Sequence, residues 1–199
     1  MANVKAGLPI MAFASAVGWE AWLTQQPGTS KGLWLKLAKK ASGLPSVSRS
    51  EAIEGALCHG WIDGQLEKFD EHHWLVRFTP RKLKSKWSEV NRDKALKLIE
   101  QGRMSPAGRS EVEQAKADGR WDAAYAPQSK AAVPDDLQRA LDGSPDAQQL
   151  FDKLDGTNRY AILHRIHDAK KAETRGRRIE KYVTMLGRGE TLYPLKTKS

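Results

Sequence analysis

The stretch from Cys58 to Asn91, CHGWIDGQLEKFDEHHWLVRFTPRKLKSKWSEVN, constrains the fold more than any other part of the chain. A tight Gly-Trp-Ile-Asp-Gly segment opens residues 61–69, a polar run follows, and residues 73–79 alternate in character, which is the pattern of a β-hairpin. For Leu66 to lie opposite Val76 on the core face, the loop must hold an odd number of residues, and Asp70, Glu71 and His72 supply it. That register puts Asp63 near Thr79 and Gln65 near Arg77 on the other face. A polar cluster is expected there, with Trp61 at one end and Arg81 at the other.

The remaining segments read as partners of this hairpin. Residues 1–14 are expected to be an extended arm, since Pro9 disfavours helix. Ser15 caps a helix to Gln26 with Trp19, Trp22 and Leu23 on one stripe. Leu33, Leu35 and Leu37 alternate with Trp34, Lys36 and Ala38, as in a strand with one buried side. Ser48 to Glu51 fits a capping box for a helix that stops at Gly60. Ser88 caps another that ends at Gly102, and Ser105-Pro106 opens one that runs to Gly119. Residues 121–133, WDAAYAPQSKAAV, lack a sustained period and read as a linker or wrapping strap, after which apolar stripes at helical spacing continue to Leu186. The expected fold class is α+β: a small three-stranded sheet with packed helices over residues 1–132, a compact α-helical module over 133–189 that folds back toward the hairpin, and a flexible tail over 190–199.

Composition narrows the function classes. Cys58 is the single cysteine, so an internal disulfide framework and a cysteine-rich zinc site are excluded. The formal net charge of +9 favours anionic partners. The start, MANVKAGLPIMAFAS, lacks the basic and apolar regions of an export signal, and no window approaches roughly 18 apolar residues. A cytoplasmic chain with no transmembrane segment is therefore expected.

Four motifs taken together, GALCHGWIDG, RFTPRKLKSKWSEVN, Gly102 to Gly108 and AKKAETRGRRI, resemble the bacterial YdeI/OmpD-associated family, also called bacteriocin-protection-like proteins. The likeness runs from about Phe13 to Gly189. It implies a bacterial cytosolic protein with an N-terminal α+β part and the family's helical module beginning near Val133. The family brings no settled reaction, so the function the resemblance implies is stress or bacteriocin tolerance without an assigned catalytic residue.

The residues themselves point to an anion site made of Arg77, Arg81, Lys82, Ser85, Trp87, Ser88 and Asn91, with Trp61 and Asp63 beside it. From the helical module, Lys171, Thr174, Arg175 and Arg178 are expected to complete it. The start of the helix at Ser88 presents backbone N–H groups, arginines grip phosphate or carboxylate bidentately, and Trp61 or Trp87 offers a flat stacking surface. The competing reading makes the same residues architectural: Arg81 and Arg175 hold the two modules together through Asp63, Glu173 or helix C-terminal carbonyls, and the tryptophans are ordinary core. The expected partner is an anionic small molecule or an acidic protein, with no cofactor. The alternatives are a hydrolase or transferase using Asp63 as base or Cys58 as nucleophile with His59, and a nucleic-acid-binding protein using the basic runs 77–86 and 170–181. The His72-His73 and His164/His167 pairs lack the further ligands a metal site needs.

Overall fold

The computed structural model of the protein describes residues 3–195. The chain divides into two compact units, one ending at Ala124 and the other beginning at Tyr125. In the first unit β1 (Val4–Lys5), β2 (Leu8–Met11), β3 (Leu33–Ala38), β4 (Trp61–Lys68) and β5 (His73–Pro80) form one sheet in the order β1-β2-β3-β5-β4. The α+β class holds, while the sheet has five strands where three were expected. The two extra strands come from the N-terminal arm, whose second strand runs parallel to β3 with Ile10 beside Trp34. Parallel pairing joins segments far apart in sequence, so no local alternation announces it.

Helices α1 (Ala16–Thr24) and α2 (Arg49–Cys58) cover one face of the sheet. Leu33, Leu35, Leu37, Val76 and Phe78 meet Trp19, Leu23, Ala52, Ala56 and Trp61 there. Both helices start where side-chain chemistry dictates. Ser15 accepts from the Gly18 N–H, and Ser48 with Glu51 closes a reciprocal capping box. Trp19 donates its indole N–H to the Ala52 carbonyl at 3.0 Å, which gives a fully buried ring its polar partner.

The opposite face of β3 is buried as well, against the single buried side expected. Trp34 and Leu75 pack with Leu8 and Ile10 of the N-terminal hairpin. The sheet curls as it does so, for Lys5 Nζ on β1 reaches Glu67 Oε2 on β4 at 2.5 Å, and Trp34 donates its indole N–H to the Lys5 carbonyl at 3.1 Å.

Near its tip the β4–β5 hairpin has the register that face parity requires, with Leu66 opposite Val76 and Lys68 opposite Trp74. Asp70 Oδ1 closes the loop by accepting from the backbone N–H groups of His72 and His73. Between Asp63 and Leu66 the register shifts: Asp63 lies opposite Phe78 and Ile62 opposite Thr79. The placement of Asp63 beside Thr79 is thus corrected by a β-bulge between Asp63 and Leu66, which puts Asp63 opposite Phe78 and Ile62 opposite Thr79.

Helices α3 (Glu89–Glu100) and α4 (Pro106–Ala117) build a second core with α2 around Trp87, Leu98, Val112 and Trp121. Gly108 lets α4 cross the end of α2, since a Cβ there would sit 2.4 Å from the Cys58 carbonyl oxygen. Trp121 meets Trp87 edge-on with ring centroids 4.9 Å apart, so the first residues of the expected linker belong to this core.

The second unit consists of α5 (Asp135–Asp142), α6 (Pro145–Lys153), α7 (Gly156–His167) and α8 (Ala172–Gly187), packed around Leu137, Leu141, Phe151, Ile162, Ile166 and Leu186. Asn158, fully buried on α7, donates to the Tyr193 carbonyl at 3.1 Å and accepts from the Tyr193 N–H at 2.9 Å. Of the expected tail over 190–199, residues 196–199 lie outside the described residues.

Candidate anion site

The curled face of the sheet opens into a cleft of about 870 Å³. The β1–β2 turn at Gly7, the loop carrying Ser30 and Lys31, the strand pair at Ile62, Gln65, Arg77 and Thr79, and the chain leaving β5 at Lys82 form its walls. The bulge decides which side chains of β4 face it. On the other side, Gly32 allows the loop to lie against β5. Its φ is +96°, and a Cβ there would fall 2.2 Å from the Phe78 carbonyl oxygen.

Four of the expected site residues line this cleft: Asp63, Arg77, Arg81 and Lys82. Arg77 donates from Nη1 to Gln65 Oε1 at 3.5 Å, the pairing foreseen from the register, and its buried Nε has no hydrogen-bond partner in the protein. Lys82 is exposed, and its backbone N–H donates to Ser85 Oγ at 2.9 Å. Asp63 is the acidic member of the lining, yet its Oδ2 accepts from Arg49 Nη2 at 3.4 Å and the side chain is 18% exposed. Arg81 is 7% exposed, lies flat on Trp87 with its guanidinium carbon 3.6 Å from the ring centroid, and donates to the Lys86 carbonyl at 3.2 Å.

The expected stacking surfaces are absent from the site. Trp61 belongs to the core beneath the helices and Trp87 to the second core, and among the described residues no aromatic side chain lines the cleft. A tryptophan flanked by glycine or serine carries no mark of which way it faces, and here burial of the large ring won. The helix start at Ser88 is also committed internally, since Ser88 Oγ accepts from the Asn91 N–H at 3.2 Å and Glu89 supplies the negative charge of the first turn.

In the second unit Lys171 stands at the N-cap of α8 and Thr174 in its first turn, and the two arginines of that helix expected in the site, Arg175 and Arg178, are engaged. Arg175 grips Asp136 bidentately, Nε to Oδ2 at 2.5 Å and Nη2 to Oδ1 at 2.9 Å, and donates from Nη1 to the Ile166 carbonyl at 3.0 Å. Arg178 donates to the Arg165 carbonyl. These two arginines add side-chain donors to carbonyls in the last turn of α7, of which Ile166 also accepts from the Ala169 N–H at 3.1 Å. The guanidinium of Arg175 holds the Asp136 carboxyl below its ordinary range. Arg175 thus meets an acidic side chain and a carbonyl at a helix end inside the second unit, with Asp136 and not Glu173 as its acidic partner.

Neither candidate for nucleophilic chemistry has its machinery. Cys58 is buried, burial pushes its thiol pKa up, and its carbonyl accepts from the Ser105 N–H at 3.0 Å. The His59 ring lies between the Gly55 carbonyl, 3.0 Å from Nδ1, and Thr24 Oγ1, 3.1 Å from Nε2. Among the described residues no group of three or more His, Cys, Asp or Glu is placed to hold a metal ion.

Sequence reasoning missed Ser30 and Lys31, while Gln65 and Thr79 were expected in the polar cluster of the hairpin and not in the anion site. The usable signal was Gly28-Thr29-Ser30-Lys31-Gly32, a loop of small residues around one lysine between a helix and a strand.

Residues 11–111 match the model of a domain of unknown function, DUF8412, and residues 130–189 match the family described as "Bacteriocin-protection, YdeI or OmpD-Associated". The resemblance expected from Phe13 to Gly189 therefore divides. AKKAETRGRRI falls in the bacteriocin-protection match, while GALCHGWIDG and RFTPRKLKSKWSEVN fall in the other. No curated protein and no solved structure matches the chain. Among the described residues no helix is long and apolar enough to cross a membrane.

Proposed function

This chain belongs to the family of the domain of unknown function DUF8412, and from that premise and the cleft on its sheet we propose that it is a binding protein for a small anionic ligand. The observation that carries the reading is Arg77: a guanidinium at the cleft wall with a buried, unpartnered Nε, flanked in the lining by the exposed Lys31 and Lys82. The Arg77 guanidinium offers planar N–H donors to phosphate or carboxylate, and its buried Nε is a donor that the protein itself leaves unmatched. The acidic lining residue does not cancel this charge, since Asp63 is drawn to Arg49. In this proposal the anion is recognised in the cytosol and serves tolerance of the bacteriocin-protection kind, a setting that the family description of residues 130–189 supports at family level.

The enzymatic alternative gains little from Asp63 or Cys58, one paired with Arg49 and the other buried. Nucleic-acid binding in this cleft lacks the stacking rings that single strands use.

A thermal-shift titration with inorganic phosphate and with citrate tests the reading, because a ligand that binds only the folded state raises Tm by mass action. The expected result is a concentration-dependent rise that Arg77→Gln abolishes. Wild-type protein whose Tm responds to neither anion, at low ionic strength, overturns it.

A further inference from the structure

We infer that the ligand of this cleft is a compound with two or more phosphoryl groups and no nucleobase, of the pyrophosphate or bisphosphate type. The inference rests on the anion reading above and names the ligand class. Lys31, Arg77 and Lys82 come from three separate segments: the loop before β3, the body of β5 and the chain beyond its end. A single tetrahedral anion is small beside a cleft of about 870 Å³, whose size lies in the upper part of the range for whole organic ligands, about 300–1,000 Å³. Separated cations in a roomy cleft fit separated anionic groups.

The hydrogen-bonding balance points the same way. Ser30 Oγ accepts from the Gly32 N–H at 3.3 Å, which leaves its own O–H as a donor, and Thr79 adds a second hydroxyl. With the Asp63 carboxylate engaged by Arg49, the lining is rich in donors and poor in acceptors. Each phosphoryl group offers three strong acceptor oxygens, whereas a carboxylate offers two in one plane and leaves more of these donors unmatched. The absence of an aromatic side chain from the lining removes the usual seat of a base, while Leu8, Ile62 and Pro80 provide a modest apolar wall for a saturated body.

Calorimetric titration of the full chain at constant ionic strength separates this inference from the reading beneath it. Inorganic phosphate, pyrophosphate, citrate, tripolyphosphate and ATP serve as probes. Pyrophosphate is expected to bind about tenfold more tightly than phosphate, since a second charge-assisted contact of this kind is worth roughly that factor. Citrate should fall below pyrophosphate, and ATP should bind no more tightly than tripolyphosphate. Lys31→Gln and Lys82→Gln, both at exposed positions, should each weaken pyrophosphate more than phosphate and so bring the two affinities together. Equal binding of phosphate and pyrophosphate, citrate as tight as pyrophosphate, or ATP tighter than tripolyphosphate overturns the inference and leaves anion binding standing. No binding of any probe by the wild type overturns the reading itself.

Discussion

The guanidinium of Arg81 lies on the indole of Trp87, its central carbon 3.6 Å from the ring centroid, and both side chains are almost wholly buried. Arg81 therefore links the end of β5 to the second core, where Trp87 also meets Trp121. A desolvated contact of this kind is worth about 2 kcal/mol. Arg81→Ala is expected to lower unfolding free energy by at least that much, measured by urea denaturation, while the protein that remains folded still responds to phosphate. Loss of the phosphate response without loss of stability would reassign Arg81 to the ligand.

Glu111 on α4 gives the protein a pH-dependent component of stability. Burial raises its carboxyl pKa above the ordinary value of 4.5, and nearby Arg81 and Arg120 do not cancel that effect, to which Asp118 adds. The folded state thus keeps this proton to higher pH than the unfolded chain. The stabilisation is complete below about pH 4.5 and is lost as pH rises through the folded value. Glu111→Gln removes this loss, so the variant should gain on the wild type as pH rises through that window. Denaturation curves at a series of pH values check it, and a difference independent of pH would count against the assignment.

Gly32 is the hinge on which the loop of Ser30 and Lys31 reaches the sheet. Alanine at φ +96° is strained, and its Cβ would fall 2.2 Å from the Phe78 carbonyl oxygen. Gly32→Ala is expected to cost about 1–3 kcal/mol from the backbone alone, with weaker phosphate binding because the loop is displaced. Thermal unfolding and phosphate titration of the same variant read both effects.

Asn158 holds the segment after α8 through two hydrogen bonds to the backbone of Tyr193. Asn158→Ala removes both of these hydrogen bonds, at about 0.5–1.5 kcal/mol for each. Limited proteolysis should then cut near Tyr193 in the variant under conditions that leave the wild type whole.

What the chain discloses before folding is its local chemistry. Ser15, Ser48, Ser88 and Ser105 all cap the helices expected of them, because a cap depends on three or four neighbouring residues. The tip of the hairpin was legible by face parity, which ties Leu66 to Val76. The slip at Gly64 was not, since a glycine within a strand permits a bulge without requiring one, and that slip decides where Asp63 points. The parallel pairing of Ile10 with Trp34 and the approach of Lys31 to the cleft depend on contacts distant in sequence, so the two extra strands and part of the candidate site lay beyond sequence reasoning. Arg77 and Lys82 were legible as a basic run, while Arg175 and Arg178 looked equally cationic and proved to serve the helix ends of α7.

The bulge in β4 also governs how copies of the protein meet in a crowded solution. β4 is an outer strand of the sheet, and its free edge is the natural template for a strand from another molecule. The break in register between Asp63 and Leu66 interrupts that edge, and Glu67 and Lys68 place charge on what remains. A foreign strand meets two short, misaligned segments, and resistance to edge-to-edge aggregation is built into the backbone of β4.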